Sequence, residues 1–384
     1  MQNSNLKDLF QLRKEITFLN FGSFGATPLP IFEAYQNFQK ELEKDPVHFI
    51  VEKSPHYIKQ SRIALGQFIN CHEDDVVLVT NPSYAVNIIA KSLNLQEGDE
   101  VLTTNLEYGA CDKTWNYYCR KSGAKYVQHP ILLPIDDKAS FVEQFMKGVT
   151  PKTKLLFISH ITSSTALRLP VEEICKQAKK LGILTFVDGA HGPGHVAIDL
   201  KNSDIDIYTG ACHKWMMAPK GTSFLYVKKE LQHLFDPLLI SWGYDSAFPS
   251  NSQFLDYHEL QGTRDTSAFC TIPACINFME KYDWKSVSAK SRKLVQDNAQ
   301  EFCDILEKNP LAPIDSDFIQ QMFSCEIDTK QPQQLHDLLY KKYNIQIPVM
   351  AHGDKCYIRY SINGFNEQED LNKLFAALKE IEKY

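Results

Sequence analysis

The sequence lacks the long apolar runs and the basic clusters that would direct a protein to a membrane or to a nucleic acid. No apolar stretch approaches membrane-spanning length, and the N-terminal residues MQNSNLKDLFQLRKE contain no apolar segment of the kind that a secretory signal carries. The longest basic clusters are pairs such as Lys228-Lys229, and the formal charge of -6 is spread along the chain. We therefore expect no membrane and no nucleic-acid partner.

The cysteines lack any regular framework. The chain has 10 of them, scattered without a CxxC pair. Because the spacing fits neither a disulfide scaffold nor a set of metal ligands, we expect reduced thiols, no metal site and a cytoplasmic protein. Most of these cysteines are expected to be small core residues.

The length and the hydrophobic pattern indicate a large α/β protein. The 384 residues with 43% hydrophobic content can form a large core in two or three domains. Short β-branched runs at 76–80, 100–104, 125–131, 154–160, 183–188, 206–210 and 222–227 predict seven strands, with helices at 84–93, 109–122 and 171–182. This alternation is typical of a mostly parallel sheet flanked by helices.

The rhythm of the chain changes after about residue 283. A long helix at 284–309, the run QMFSCEI, a helix at 333–343, the run YIRYSI and a closing helix at 367–383 predict a smaller α+β domain. The stretch FLNFGSFGATPLP near the N-terminus is rich in Gly and Pro. We expect residues 1–30 to span the domain interface, 31–283 to form the large domain, and 284–384 to form the small C-terminal domain.

Polar residues follow three of the predicted strands, at the edge where open α/β sheets bind ligands. Ser83 lies in TNPS, Asp188 and His191 lie in VDGAH, and Lys214 follows DIYTG. Each has an ordinary explanation, since Ser83 could cap a helix, Asp188 could stabilise a turn and His191 could be a loop histidine. Lys214 is either a surface lysine or a buried one kept for chemistry, because a buried ammonium is costly unless paired or neutralised.

Six motifs taken together in this order resemble a known family. They are FLNFGSFGATP, EYGACDKTW, SHITSSTALRLPV, VDGAHGPG, CHKWMMAPKG and QGTRDTSAF. The chain is similar over nearly its whole length to the pyridoxal-phosphate (PLP) enzymes of fold type I, and more narrowly to the isopenicillin N epimerase-like branch of the class V aminotransferase superfamily. The resemblance implies a PLP transferase-like large domain with pyridoxal 5'-phosphate as cofactor. It is more specific for the superfamily than for the reaction.

The resemblance implies roles for three catalytic residues. Lys214 matches the lysine that forms the Schiff base, and its burial is tolerable because imine formation removes the charge. Asp188 matches the carboxylate that pairs with the pyridine nitrogen and favours its protonated form. His191 matches the position that contacts the phenolic oxygen. Lys220 in APKG is an alternative Schiff-base lysine, although a solvated turn lysine explains it better.

The same resemblance implies further cofactor contacts. Ser163 falls near the phenolic oxygen, and Tyr108 matches the aromatic residue that stacks on the ring. The phosphate contacts implied within one subunit are Ser83, Tyr84 and His213. The segment Gly262-Thr263 matches the one that reaches the phosphate from the other subunit, which implies a homodimer with shared sites.

The substrate contacts implied by the resemblance are those of an amino acid. Arg359 in YIRYSI matches the arginine that binds the α-carboxylate, whose geometry suits a planar guanidinium. Asn20 and Ser23 are expected to line the substrate entrance. Arg264 could contact a distal acid group of the substrate or support the phosphate loop.

The reaction stays open among several outcomes of one event, the removal of the Cα proton by Lys214. Epimerisation and β-elimination of the C–S lyase type are equally favoured, and transamination is third. A cysteine desulfurase is less favoured, because it needs a mobile cysteine, whereas Cys356 lies within a predicted strand and Cys325 lies in an apolar run. A PLP-binding protein without turnover would not need the set Lys214, Asp188 and Arg359.

Overall fold

The strands and helices follow the alternation of the sequence in this computed structural model, which describes residues 6–381. The strands are β1 (Thr17–Phe18), β2 (Val76–Val79), β3 (Glu100–Thr104), β4 (Lys125–His129), β5 (Thr153–Ser159), β6 (Leu184–Gly189), β7 (Ile207–Ala211), β8 (Ser223–Val227), β9 (Met322–Glu326), β10 (Ile345–Gln346), β11 (Val349–His352) and β12 (Lys355–Ser361). The helices are α1 (Phe21–Phe24), α2 (Leu29–Lys44), α3 (Pro46–His48), α4 (Ser54–Phe68), α5 (Pro82–Ser92), α6 (Gly109–Ser122), α7 (Lys138–Met146), α8 (Val171–Lys180), α9 (Gln253–Glu259), α10 (Ser267–Cys270), α11 (Ile272–Lys281), α12 (Trp284–Leu306), α13 (Pro332–Tyr343) and α14 (Gln368–Glu380).

The large sheet has seven strands in the order β2-β8-β7-β6-β5-β3-β4. Strand β8 runs antiparallel to both of its neighbours, and every other pair is parallel. This confirms the predicted mostly parallel sheet flanked by helices. Because β8 alone is reversed, the carboxyl ends of β2, β3, β5, β6 and β7 all meet at one edge.

Helices cover both faces of this sheet. Val76 and Leu78 of β2 belong to one core cluster, while Val77 and Val79 belong to the other. Helices α5 and α6 pack on the second cluster and α8 on the first. Strands buried on both faces are near-continuous apolar runs, which is why the sequence pattern predicted them well.

Some predicted boundaries were wrong for identifiable reasons. The predicted strand at 125–131 ends at His129, because Pro130 has no N–H to donate to a ladder. The predicted helix at 284–309 ends at Leu306, where Glu307 adopts a left-handed conformation with φ 54°. Helix α14 spans Gln368–Glu380, and the predicted end at 383 lies outside the described residues.

The C-terminal part contains a three-stranded antiparallel sheet in the order β11-β12-β9. Helices α12 and α14 pack together beside this sheet, while α13 contacts β11. The sequence pattern did not predict β11, which is short and only partly buried. The domain boundaries at residues 30 and 283 stay predictions.

The N-terminal segment contacts strands of the C-terminal part and the loop that carries Lys214. Strand β1 pairs in parallel with β10, and the Ser361 N–H donates to the Leu19 carbonyl at 2.8 Å. Further along, Gly25 has φ 63°, and a Cβ there would lie 2.4 Å from the His213 carbonyl oxygen. Only glycine allows this backbone to pass so close to the loop that carries Lys214.

Candidate active site

A cavity of about 300 Å³ lies at the edge where the parallel strands end. Eight residues that the sequence analysis named line it: Ser23, Ser83, Tyr108, Ser163, Asp188, His191, His213 and Lys214. The cavity therefore brings together the lysine and the carboxylate on which the predicted chemistry depends.

Lys214 lies in a tight loop between β7 and β8. The loop is closed by the His213 N–H, which donates to the Thr222 carbonyl at 3.1 Å, and by the Ala218 N–H, which donates to the Cys212 carbonyl at 3.0 Å. Burial, with the charge of Arg359, lowers the pKa of Lys214 to about 8. A lysine in this setting is readily available as a free amine.

Lys220, the alternative Schiff-base lysine, lies outside the cavity. Lys220 is exposed and does not line the cavity. The geometry therefore favours Lys214 as the amine that a carbonyl group in the cavity would meet.

Asp188 is a buried carboxylate without a paired cation. It is 3% exposed, and burial raises its pKa. Its oxygens accept hydrogen bonds from the Ala190 N–H at 3.0 Å and from the Cys111 thiol at 3.4 Å. No ion pair within residues 6–381 involves it. Because a buried anion is costly, a ligand with a cationic N–H beside Asp188 would be strongly favoured.

His191 lies between Lys214 and Trp215. Its Nε2 is 3.3 Å from the Lys214 Nζ, and its Nδ1 accepts a hydrogen bond from the Trp215 indole at 3.3 Å. Burial, with the charge of Lys214, holds the pKa of His191 well below its usual range. The ring is therefore a neutral imidazole.

The N-terminus of α5 forms another wall of the cavity. Ser83 does not cap this helix, because Asn81 is the cap and accepts from the Tyr84 N–H at 2.8 Å. Pro82 takes the first helical position, where its missing N–H costs nothing. Ser83 lies in the first turn and lines the cavity. A helix N-terminus of this kind suits a phosphate group.

The other two predicted phosphate contacts differ in placement. The His213 Nδ1–H donates to the Thr222 carbonyl at 3.0 Å, which leaves Nε2 for a ligand. The Tyr84 hydroxyl instead donates to Gln261 at 3.0 Å, and its side chain does not line the cavity. The structure therefore brings His213 to the site and directs Tyr84 away from it.

Tyr108 lies at the start of α6 and is 49% exposed. The residue before it, Glu107, is buried and accepts hydrogen bonds from Thr104, at 2.7 Å, and from the backbone N–H of Ser159, at 2.9 Å. Burial raises the pKa of Glu107 to about 8. These contacts anchor the loop that presents the Tyr108 ring at the cavity, where an aromatic ligand could stack on it.

Arg359 is a buried guanidinium without a paired anion. It is 1% exposed, and burial lowers its pKa to about 10. It donates to the Ser163 carbonyl and, at 3.3 Å, to the Ser23 hydroxyl, which in turn donates to Asn20. Its Nε has no partner, and no ion pair within the described residues involves it. A ligand carboxylate would supply the missing negative charge.

Six predicted residues do not line the cavity: Asn20 and Arg359, which contact the lining residue Ser23, then Tyr84, and three residues in the loop after α9. Gly262 and Thr263 are exposed in the loop after α9. The Arg264 guanidinium stacks on Phe269, 4.8 Å from its ring centroid, and lies near the charge of Glu259. Within one chain, Arg264 can support this loop but does not reach the cavity.

The sequence analysis missed several residues that line the cavity. They are Phe24, Asn81, Pro82, Cys111, Ser159, Ile161 and Ala190. Cys111 could have been found, because it lies in the first turn of α6, where its N–H donates to the carbonyl of the cap residue Tyr108 at 2.8 Å. The described residues contain no group of three or more His, Cys, Asp or Glu that could hold a metal ion.

These features fit pyridoxal 5'-phosphate. The unpaired Asp188 suits a protonated pyridine nitrogen, the Lys214 amine suits an aldehyde, and the α5 N-terminus suits a phosphate. With a mostly parallel seven-stranded sheet, they define a PLP-dependent enzyme of fold type I.

The chain belongs to the aminotransferase class-V family, whose model matches residues 25–374. It is 29% identical to the isopenicillin N epimerase of Amycolatopsis lactamdurans, with 99% of this chain and 98% of that protein covered. It is 26% identical to a probable chloroplastic L-cysteine desulfhydrase of Arabidopsis thaliana, with 94% and 82% covered. The fold is similar to that of the apo cysteine desulfurase from Thermococcus onnurineus NA1, with TM-score 0.82, 22% identity, and 99% and 98% covered. These findings confirm the predicted family, cofactor and enzyme class.

None of the helices in the described part of the chain combines the length and the apolar character of a membrane span. The ten cysteines form no disulfide, and eight of them are buried.

Proposed function

We propose that this enzyme removes the Cα proton of a small amino acid and eliminates its β-substituent, as a C–S lyase does. The observation that carries this proposal is the proximity of a partly buried amine, Lys214, which lines the small cavity, to a buried and unpaired guanidinium, Arg359, which binds two other lining residues, Ser23 and Ser163. An α-amino acid offers the two complementary groups, an amine and a carboxylate. The cavity of about 300 Å³ favours a short side chain once the cofactor is bound.

Each side chain has a proposed task. Arg359 binds the α-carboxylate and orients the Cα–H bond toward Lys214. The Lys214 Nζ takes the Cα proton and passes it to the leaving sulfur. Asp188 would accept a hydrogen bond from a protonated pyridine ring, and Ser83 and His213 would hold the phosphate. PLP, when bound, supplies the electron sink for the electrons of the broken C–H bond.

The overall reaction balances without an oxidant. Cysteine and water would give pyruvate, ammonia and hydrogen sulfide, with one C–S and one C–N bond broken. Lys214 alone can serve as both base and acid, so elimination needs no second titratable group.

Epimerisation is the second candidate, because the Tyr108 side chain lines the same cavity and could supply a proton to Cα. The similarity to an isopenicillin N epimerase supports this candidate as well. Tyr108→Phe separates the two reactions, since it keeps the ring and removes the hydroxyl. It should abolish epimerisation and leave elimination nearly unchanged.

Persulfide chemistry has no suitable cysteine. Cys356 pairs with Ala351 in the hairpin of β11 and β12, and Cys325 is buried in β9. Cys111 lines the cavity, but burial raises the pKa of its thiol, which donates to Asp188. A thiol in this setting is a poor nucleophile.

The test is product analysis with the PLP-loaded protein. Pyruvate, ammonia and sulfide from L-cysteine would support elimination, whereas a change of configuration alone would support epimerisation. A keto acid formed only with an amino acceptor would indicate transamination. If no amino acid changes the cofactor absorption, the protein binds PLP without turnover.

A matched pair of lysine variants tests the site itself. Borohydride reduction of the loaded protein should tag Lys214 in the unmodified chain and in Lys220→Ala, and should tag nothing in Lys214→Ala. A tag on Lys220 in Lys214→Ala would contradict the assignment.

A homodimer that shares its sites is also proposed. The chain exposes a row of apolar side chains in the segment just before Gly262-Thr263, and these include Trp242 at 85% and Phe248 at 91% exposure. A second copy would cover them and bring its Gly262-Thr263 segment to the phosphate. Sedimentation should show a dimer that Trp242→Asp with Phe248→Asp dissociates. The predicted cytoplasmic location fits the unpaired cysteines.

A further inference from the structure

We infer that Trp215 is a positioning residue that fixes the tautomer of His191 and thereby favours the neutral amine form of Lys214. The inference concerns the site of the proposed function and rests on Lys214 being its reactive amine. It does not depend on which reaction follows.

The tautomer follows from the direction of one hydrogen bond. An indole N–H can only donate, and the Trp215 Nε1–H donates to the Nδ1 of His191 at 3.3 Å. The Nδ1 therefore carries no proton, which excludes both the imidazolium and the Nδ1–H tautomer. The remaining proton of the neutral ring must lie on Nε2.

The proton on the Nε2 of His191 then influences the protonation state of Lys214. The Nζ of Lys214 lies 3.3 Å from this nitrogen. An ammonium has three N–H groups and no lone pair, so it would face a second donor, whereas a neutral amine can accept the hydrogen bond. Trp215, which does not line the cavity, thus favours the nucleophilic form of Lys214 through His191.

Trp215 is itself held rigidly. It is fully buried, stacks on His195 at 3.9 Å between ring centroids, and contacts Phe21 at 5.2 Å. Gly194 has φ 80°, and a Cβ there would lie 2.5 Å from the Trp215 carbonyl oxygen. The indole therefore has little freedom to turn its N–H away from His191.

The stacking partner of Trp215 is also a neutral imidazole. The Gln321 N–H donates to the Nε2 of His195 at 2.9 Å, so His195 carries its proton on Nδ1, which lies 3.1 Å from the His191 carbonyl. Burial lowers the pKa of His195 to about 3. No charge on this ring competes with the effect of Trp215.

Other charges act on Lys214 as well. The charge of Arg359 opposes its protonation, while Asp188 and Cys111 favour it. His191 and His213 face it as neutral rings. The effect of Trp215 must therefore be measured as a difference between variants in which these groups are unchanged.

The first experiment measures the reactivity of Lys214 in the full chain after removal of PLP. Acetic anhydride labels neutral amines, and mass spectrometry of the Lys214 peptide across pH gives the midpoint. We expect a midpoint of about 8 in the unmodified chain, from its lowered pKa. In Trp215→Phe the ring packing stays and the donor is lost, so we expect the midpoint to rise by about one pH unit, a tenfold loss of free amine below the midpoint.

The matched control is Trp115→Phe. Trp115 is also fully buried, but its indole N–H has no partner within the described residues. This variant should leave the Lys214 midpoint unchanged. A similar rise in both variants would mean that packing, and not the hydrogen bond, controls the lysine.

The second experiment replaces His191 with a residue whose hydrogen-bond donor does not depend on a tautomer. In His191→Gln, the side-chain amide can donate to Lys214 whatever Trp215 does. Adding Trp215→Phe to this variant should change the midpoint little. A full one-unit rise in the double variant would overturn the inference.

The third experiment observes the ring directly and needs no variant that could misfold. Nitrogen-15 NMR of the full chain, with and without PLP, should show His191 with a protonated Nε2 and an unprotonated Nδ1. A protonated Nδ1 would overturn the inference. Failure of the elimination assay would leave this result intact, so the two proposals fail separately.

Discussion

Asp188 and Arg359 are both buried charges without a counter-ion, but Asp188 lines the cavity whereas Arg359 lies behind Ser23 and Ser163, and the structure holds the two differently. The partners of Asp188 are the N–H of Ala190, two residues away, and the thiol of Cys111 on the helix that packs on the same sheet. Arg359 is held by Ser23 of the N-terminal segment and by Ser163 of the loop that follows β5. One charge is therefore positioned by the sheet and a helix that packs on it, and the other by three separate parts of the chain.

This difference matches the lifetime of the two proposed partners. A cofactor that stays bound needs an anchor whose geometry does not change, and the interior of a seven-stranded sheet supplies one. A substrate must enter and leave, so its carboxylate can be bound by a residue whose partners come from segments that are able to shift. Four substitutions test the comparison.

The largest effect is expected at the cofactor end. Asp188→Asn keeps the size and removes the charge, so we expect kcat to fall on the order of a thousandfold with little change in KM. Steady-state kinetics with the best substrate measures this. Asp199→Asn, which alters an exposed aspartate bonded to Asn70 and Asn202, is the control. An unchanged kcat in Asp188→Asn would remove Asp188 from the mechanism.

A smaller effect of a different kind is expected at the substrate end. Arg359→Lys keeps the charge but loses the planar fork, so we expect KM to rise about a hundredfold while kcat changes only severalfold. Arg292→Lys is a control, because Arg292 binds backbone carbonyls of Ser316 and Ile319 and does not line the cavity. If KM stays the same and only kcat falls, Arg359 does not bind the ground-state carboxylate.

A third prediction concerns how the unpaired charge of Arg359 affects the free energy of unfolding. Without ligand, the unpaired Arg359 guanidinium is a cost, so Arg359→Met should raise the free energy of unfolding by about 1 kcal/mol. Urea unfolding of the full chain without PLP measures this. Arg292→Met should instead lower stability, since it abandons hydrogen bonds without relieving an unpaired charge. A loss of stability in Arg359→Met would show that the guanidinium already has adequate partners.

The smallest effect is expected from Cys356→Ala. This residue lies in β12 close to Arg359 but pairs with β11 and does not line the cavity. We expect kcat to change by less than about twofold with L-cysteine, because the thiol is not placed as a nucleophile. A large loss of sulfide release, with alanine as the product in the unmodified enzyme, would restore the desulfurase hypothesis.

Much of the fold could be predicted because it depends on local patterns. Buried strands such as Val76–Val79 are short apolar runs, and α8 shows its apolar stripe at helical spacing. Strand β11 was missed because a short, partly buried strand has no such pattern. The Asn81 cap was missed because Ser83 is an equally good capping residue, and only the helix start decides between them.

The sequence by itself determined the alternation of strands and helices and, through its motifs, the family and the cofactor. These depend on periodicity and on short stretches in which the chemical groups are neighbours along the chain. Only the tertiary structure decided which groups meet Arg359, since Ser23 and Ser163 are 336 and 196 residues away from it. It alone also paired Trp215 with His191, because the direction of a side-chain hydrogen bond depends on how the loops pack, and no local pattern encodes that packing.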